Sequence, residues 1–203
     1  MDKKEQIIEA AISRFSYYGF AKTAMNEIAA DVNISKANLY YYYPDKLSLI
    51  KDVFLYLTEE YEKMQKPIIE KYEGGIMGTM NALLDLNAKF VRKHYMLYIN
   101  ENLEWAKGLD LGDMIEKSRK RELRWMRKVL EKGNENKEVE VEEDDLDEVS
   151  SIIFETINGL MLGCTIKDMI TGIPNKENII ELEKIQKRAV ELLIRGLGYS
   201  FSK

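Results

Sequence analysis

The sequence predicts an all-α protein, in which an N-terminal three-helix helix-turn-helix domain is followed by a larger helical domain. Apolar residues recur at helical spacing along most of the chain. Glu, Lys, Leu, Ile and Met are abundant and there are three prolines in 203 residues, a composition typical of helical proteins. Two short helical stretches before residue 44 are separated by a tight turn, which is the pattern of a helix-turn-helix.

The first two helices are predicted from their apolar faces. Residues 3–18 carry one face at helical spacing, made of Ile7, Ile8, Ala11, Ile12 and Phe15. Gly19 follows at a position suited to a left-handed C-cap. A second helix is predicted from Met25 to about Val32, and Asn33 can enter the left-handed region to turn the chain.

The third helix is predicted between Ser35, a favourable N-cap, and Pro44, which disfavours continuation. On such a helix Leu39 and Tyr43 face inward. The outward positions and flanks hold Lys36, Ala37, Asn38, Tyr40, Tyr41 and Tyr42. Tyrosine hydroxyls and lysine can contact phosphates, and asparagine can read adenine edges, so this stretch is interpreted as a recognition helix for the DNA major groove. A core stripe would explain at most two of the four tyrosines.

The order of these features resembles the N-terminal domain of the TetR family of transcriptional regulators. The resemblance covers about the first fifty residues and rests on Gly19-Phe20, Thr23, Ile28-Ala29-Ala30, Ile34-Ser35-Lys36, Leu39 to Tyr43 and Asp45-Lys46. The sequence has Asn33 where glycine is common in the family and Tyr43 where phenylalanine is common.

The resemblance implies a set of DNA contacts. Thr23 and Asn26 match positions that touch phosphate and sometimes a base, and Lys46 matches a phosphate-binding lysine. Base-edge or positioning contacts are implied for Lys36, Ala37 and Asn38, and groove and phosphate contacts for Tyr40, Tyr41 and Tyr42. Tyr43 is expected in the core. The expected domains are residues 1–46, which bind DNA, and residues 47–203, which bind a ligand and dimerise.

Beyond Lys46 the sequence predicts further amphipathic helices. These segments carry no motif that indicates a chemical function. A long helix is expected to reach Pro67 or just beyond it. The others are predicted over residues 75–93, 95–105, 114–132, 145–170 and 179–195. Gly159 and Gly163 lie four apart in an apolar helix and would let another helix approach. The resemblance implies homodimerisation through 145–170 and 179–195; alternatively, these two helices close a monomer core.

Methionine and aromatic residues in the second domain indicate an adaptable cavity for a small apolar or amphipathic effector. The candidate lining residues are Met64, Met80, Tyr98, Trp105, Trp125, Met126 and Met161. Ordinary core packing is the alternative for each of them. The corresponding long helix links the two domains in the TetR family, so its tilt could transmit a signal.

The scarcity of reactive residues argues against catalytic and metal-binding functions, and the distribution of charge is compatible with DNA binding. The net charge is −5, but residues 1–50 hold six acids and six bases, so the excess acid lies downstream of the DNA-binding domain. Cys164 is the one cysteine and His94 the one histidine, expected to be a buried hydrophobe and a partly exposed helix-end residue. These residues offer no catalytic constellation, and neither a cofactor nor a metal is expected. The acidic segment 134–148 is interpreted as a solvated loop, since calcium-loop spacing is missing.

No leading apolar segment or membrane-spanning run is recognised, so a cytoplasmic protein with no membrane contact is expected. The predicted function is a ligand-responsive transcriptional regulator that binds double-stranded palindromic operator DNA as a homodimer, a repressor in preference to an activator. The alternative is a ligand-binding or protein-interaction module with a degenerate helix-turn-helix. A helical enzyme is a third hypothesis, for which the sequence offers no catalytic group.

Overall fold

The computed structural model describes residues 2–98, 112–171, 175 and 177–198. This part of the chain is built from eight α-helices joined by turns and two short 3₁₀ helices, Tyr95–Tyr98 and Glu143–Asp145, and contains no strand. The helices are α1 (Lys3–Lys22), α2 (Met25–Asp31), α3 (Lys36–Tyr42), α4 (Lys46–Lys71), α5 (Gly75–Lys93), α6 (Gly112–Glu135), α7 (Leu146–Thr171) and α8 (Asn178–Gly196). The all-α prediction is confirmed.

Local backbone signals divide the N-terminal domain where the sequence predicts. Gly19 has φ of 79°, which interrupts α1 so that residues 19–22 form a separate turn. Asn33 has φ of 53° and reverses the chain between α2 and α3. Both positions need the left-handed half of backbone space, which glycine and asparagine enter at low cost.

One apolar cluster joins the N-terminal helices to the start of α4. It includes the fully buried Ile7, Phe15, Ile28, Leu39 and Leu49. The cluster continues to Leu57 and takes in Phe90 and Leu97, so its packing crosses the domain boundary predicted at residues 46 and 47. The boundary itself stays a prediction.

Helix α4 runs through Pro67 without ending there. It continues to Lys71 and stops at Tyr72, whose φ is 53°. A proline inside a helix removes one backbone hydrogen bond. Ile69, two residues beyond it, is fully buried in a second apolar cluster with Leu130 of α6 and Ile153 of α7, and this packing holds the last turn in place.

The acidic segment between α6 and α7 exposes most of its acids, as predicted, but it is not solvated along its whole length. Val139 and Val141 are buried in the second cluster. The carboxylate of Glu138 accepts hydrogen bonds from the Tyr72 hydroxyl at 2.7 Å and from the Ile76 N–H at 2.8 Å. The orphan N–H groups at the start of α5 attract this carboxylate, a tertiary contact that charge density along the sequence cannot reveal. No group of metal ligands occurs in the described ranges.

His94 is buried rather than partly exposed, so that prediction was wrong. Its ring lies 4.8 Å from the Phe90 ring, and its Nδ1 is 3.1 Å from the Ser16 Oγ of α1. The imidazole is thus covered by the N-terminal domain, which the local sequence cannot show. Burial and the nearby Lys93 charge lower the pKa of His94 from 6.5 to about 4.

Acid should therefore destabilise the fold through His94. Because the pKa is lower in the folded state, the stabilisation is complete above pH 6.5 and is lost as pH falls toward 4. Between about pH 7.5 and about pH 5 the loss should be about 2 kcal/mol. Urea unfolding at both pH values should show that His94→Gln removes this part of the pH dependence. An equal pH dependence in wild type and variant would contradict the assignment.

One stretch, Glu143–Ile166, is long and apolar enough to span a membrane by length and composition, contrary to the sequence expectation. Only 17% of its most apolar window is buried in the single chain. Ile152, Leu162 and Ile166 lie 47%, 55% and 48% exposed on the outer side of α7. The two glycines on that side, Gly159 and Gly163, have open space above them. This α7 outer face is apolar, and none of the described residues covers it.

Candidate nucleic-acid interface and effector cavity

Helix α3 is held at its start and along its inner side. The Ser35 hydroxyl accepts a hydrogen bond from the Asn38 N–H at 3.1 Å, which caps the first turn. Leu39 is fully buried, and Tyr43 just after the helix is 2% exposed. The Tyr43 hydroxyl donates to Asp52 on α4 at 3.1 Å, and burial beside this carboxylate raises the pKa of Tyr43. A helix too short to be stable alone is fixed by these contacts.

The outer side of α3 presents an exposed polar and aromatic surface. Its residues are Lys36, Ala37, Asn38, Tyr40, Tyr41 and Tyr42, all of them exposed. Tyr41 is 85% exposed and its ring lies edge-on to the Tyr42 ring, at 5.7 Å between centroids. The Lys36 ammonium lies 5.8 Å from the centre of the Tyr40 ring. The predicted recognition surface is thus assembled on one rigid helix.

Acidic residues of the neighbouring helix are paired away from this surface. Arg14 of α1 holds Asp31, with a hydrogen bond of 2.9 Å from its Nη2, and lies 3.5 Å from Glu27. The Arg14 guanidinium lowers the pKa of Asp31, so the pair stays ionised at neutral pH. Helix α3 has no acidic residue. Lys36 is therefore the one charged side chain of α3.

Thr23, Asn26 and Lys46 differ in what they can offer to DNA. Asn26 is exposed at the start of α2. Thr23 is 2% exposed and its hydroxyl donates to the Gly19 carbonyl at 2.9 Å, which stabilises the turn after α1. The Lys46 ammonium donates to the Phe20 carbonyl, and burial lowers the pKa of Lys46. In this conformation Thr23 and Lys46 support the fold, and their DNA contacts stay predictions.

Lys36 gives a specific expectation for salt dependence. If it neutralises one phosphate in each half-site, Lys36→Ala should reduce the slope of log affinity against log salt by about 2 for a dimer. Lys66→Ala, which removes an exposed charge from the far half of α4, is the matched control and should leave the slope unchanged. Fluorescence anisotropy across a salt series measures both. An unaltered slope for Lys36→Ala would remove this contact from the interface.

The comparisons agree with the geometry of α1 to α4. Residues 7–53 match the model of the bacterial regulatory proteins of the tetR family. The N-terminal domain is a TetR-family domain. The biofilm operon icaADBC HTH-type negative transcriptional regulator IcaR of Staphylococcus aureus is 30% identical over 98 residues, which are 46% of this chain and 53% of IcaR. An Escherichia coli protein described as the probable acrEF/envCD operon repressor is 23% identical over 90 residues, 44% of this chain and 41% of that protein.

The TetR-like fold extends through the second domain. The match with the crystal structure of a transcriptional regulator from Cytophaga hutchinsonii spans 95% of this chain and 97% of the Cytophaga chain. The TM-score is 0.81 and the sequence identity is 22%. At this identity the likeness concerns the fold alone. The chain spans about half the length of the curated relatives it matches. Their names therefore bear on the N-terminal half more directly than on the whole protein.

The second domain forms an open cavity of about 590 Å³ between α4, α5, α6 and α7. Met80 and Met126, two of the predicted lining residues, contribute to its wall. An adjoining cavity of about 270 Å³ shares Tyr61, Asn87, Ser118 and Glu122 with it. Their combined size suits a drug-sized molecule.

Of the other predicted cavity residues, those that the structure describes lie elsewhere. Met64 lines a separate, open cavity of about 840 Å³ between α1 and α4. Trp125 and Met161 pack on the second cluster and on a third cluster around Tyr95, respectively. The side chain of Tyr98 and all of Trp105 lie outside the described residues. Whether any of them touches a ligand stays a prediction.

Polar residues of the cavity wall were missed by the sequence analysis. Gln65 of α4 donates its Nε2 hydrogen to Glu122 of α6 at 2.8 Å, and Arg121 lies beside Glu122. Gln65 and Glu122 are 57 positions apart in the sequence, so no local pattern predicts their contact. The one available signal is a glutamine placed among the apolar positions of α4, where a buried amide needs a partner.

Proposed function

We propose that this protein is a transcriptional regulator that binds palindromic operator DNA as a homodimer and represses transcription. The observation that carries the proposal is the fixed and exposed surface of α3, which presents lysine, asparagine and tyrosine together. In the proposed complex Asn38 would read a base edge, and Tyr41 and Tyr42 would contact groove walls and phosphates. The printed names of IcaR and of the Escherichia coli relative favour repression over activation.

The α7 outer face supports the homodimer. Its apolar side chains would be uncovered in a monomer, and its two glycines leave room for a close helix approach. Leu192 of α8, 54% exposed, extends the apolar surface onto the next helix. An isologous pairing of α7 and α8 would bring two α3 helices to one side of the dimer. They would then enter successive major grooves about 34 Å apart.

A ligand in the cavity would control DNA binding through α4. Helix α4 begins at Lys46, with three residues between it and the end of the recognition helix, and carries Gln65 into the cavity wall. Tilting α4 around a bound effector would change the separation of the recognition helices. Affinity for the operator would fall because a displaced pair no longer fits both half-sites.

Selection from a random duplex pool tests the proposal. The full-length protein, shown to be dimeric by light scattering, should enrich an inverted repeat with half-sites about one helical turn apart. The competing hypothesis is an interaction protein whose helix-turn-helix no longer reads DNA, which the net charge of −5 would suit. Absence of enrichment from a dimeric sample would contradict the regulator proposal and favour that alternative.

A further inference from the structure

The end of the recognition helix is tied to two other helices by one carboxylate. Tyr43, the residue after α3, is 2% exposed, and its hydroxyl donates to the Oδ2 atom of Asp52 on α4 at 3.1 Å. The Lys4 ammonium of α1 lies 2.8 Å from the same oxygen and 5.7 Å from the centre of the Tyr43 ring. Asp52 therefore joins the end of α3 to both α1 and α4.

The recognition helix has no second polar tie of this kind in the part of the chain that the structure describes. Helix α3 packs mainly against α2. Among the described residues, no side chain of α3 itself forms a hydrogen bond or an ion pair with α1 or α4. The polar connection between the recognition helix and the long helix α4 therefore depends on Tyr43.

The hydroxyl of Tyr43 is not needed for core packing. The Tyr43 ring belongs to the first apolar cluster, and a phenylalanine ring would fill the same space. Burying a hydroxyl costs free energy unless it is hydrogen-bonded, and the bond to the Asp52 carboxylate offsets that cost. Burial and the Asp52 charge raise the pKa of Tyr43, so the hydroxyl keeps its proton and remains a donor at neutral pH.

A small rotation of α3 about Tyr43 would disturb the far end of the recognition surface. Asn38 lies about 7.5 Å from Tyr43 along the helix axis, at about 1.5 Å per residue, so a rotation of about 10° would move it by about 1 Å. A hydrogen bond to a base edge tolerates about 0.5 Å. The attraction between a lysine and a phosphate decreases more gradually with distance. Loss of the connection should therefore impair base reading more than phosphate binding.

We propose that Tyr43 is a positioning residue for operator recognition. Through Asp52 and Lys4, its hydroxyl fixes the angle of α3 and so determines how strongly the protein prefers its operator to random DNA. The inference rests on the proposed function, since this preference exists only if α3 reads DNA. Tyr43 is enclosed in the core, so it acts on the operator through Asn38 and the other exposed side chains of α3.

Tyr43→Phe in the full-length protein is the first test. The variant keeps the ring and should fold, but operator affinity should fall about tenfold, because each half-site of a dimer loses about threefold. Affinity for random duplex and its salt dependence should not change, since no phosphate contact is removed. Fluorescence anisotropy measures both affinities at a temperature well below the thermal midpoint of each protein. An operator preference equal to that of the wild type would overturn the proposal.

Tyr72→Phe separates positioning from stability. The Tyr72 hydroxyl also donates to a carboxylate, that of Glu138 at 2.7 Å, but this bond lies in the second domain. Tyr72→Phe should lower the thermal midpoint about as much as Tyr43→Phe does, yet it should keep the wild-type operator preference. Equal loss of preference in the two variants would show that stability accounts for the effect and would contradict the positioning role.

Substitutions of Asp52 test whether it is the partner through which Tyr43 acts. Asp52→Asn keeps an acceptor for the Tyr43 hydroxyl and should keep most of the operator preference, whereas Asp52→Ala removes the acceptor and should lose about tenfold. Combining Tyr43→Phe with Asp52→Ala should cost no more than Asp52→Ala alone, because both changes remove the same bond. Additive losses would overturn the assignment of Asp52.

Hydrogen exchange without DNA distinguishes a failure of this inference from a failure of the proposed function. Amides of residues 40–43 should exchange faster in Tyr43→Phe than in the wild type, by about threefold or more, whereas amides of α2 should be unchanged. Unchanged exchange at residues 40–43 would overturn the connection whether or not an operator is found. Faster exchange in a protein that selects no operator would support the connection and contradict the proposed function instead.

Discussion

Replacing both Leu162 and Ile166 with glutamate should convert the dimer to monomers and remove specific operator binding. Both side chains are about half exposed on the α7 outer face, so glutamate can be accommodated in a single chain without entering its core. In the proposed dimer the same carboxylates would be buried opposite their symmetry copies. Burial of like charges without partners is costly enough to prevent association.

Loss of the dimer should weaken operator binding because the avidity of two linked half-site contacts is lost. A monomer binds one half-site without the effective concentration that a linked partner provides, and operator affinity should fall about 100-fold or more. Light scattering and fluorescence anisotropy measure the two effects, with circular dichroism to confirm the fold. Leu55→Glu is the matched control, because Leu55 is 39% exposed on α4 outside this face, and it should remain dimeric. A double variant that stays dimeric would place the interface elsewhere.

Asn38→Ala and Tyr42→Ala should each weaken operator binding while leaving dimerisation and stability unchanged. Both side chains are exposed on α3, so alanine removes no core packing. Loss of a base contact costs about 1–3 kcal/mol in each half-site. Because a dimer loses the contact twice, affinity should fall roughly 30-fold or more.

A tyrosine outside the recognition helix serves as the control for these variants. Tyr17 of α1 is 74% exposed and stacks edge-on with Tyr18, away from α3. Tyr17→Ala should keep wild-type operator affinity. Competition with random duplex further separates the two roles, since Asn38→Ala should reduce the preference for the operator, whereas Tyr42→Ala should weaken both kinds of binding if it contacts phosphate. Wild-type affinity in both α3 variants would contradict the contact assignment.

The sequence was most informative where a structure depends on near neighbours. Gly19, Asn33 and the Ser35 cap fix backbone turns by their own conformational preferences, and each behaves as predicted. The helix periods likewise predicted α4 to α8, with ends displaced by a few residues. Of the helix predicted over residues 95–105, Tyr95–Tyr98 form a 3₁₀ helix and the remainder lies outside the described residues. Helix ends fray and depend on packing, which explains these displacements.

The sequence was least informative where distant segments meet. His94 reads as a helix-end residue, but Ser16 of α1 covers it. Glu138 reads as one acid in an acidic loop, but the start of α5 binds it. Gln65 reads as a polar residue of an amphipathic helix, but Glu122 of α6 binds its amide. In each case the partner of the side chain is decided by tertiary packing.

The spacing of the two half-sites tests the central claim most directly. Operator affinity is measured by fluorescence anisotropy on the selected inverted repeat and on the same repeat with about five or about ten base pairs inserted at its centre. The longer insertion restores the rotational alignment but not the distance. A dimer with two α3 helices in successive major grooves should lose affinity about 100-fold or more on either insertion. Equal affinity for all three duplexes would contradict binding by a symmetric pair of recognition helices.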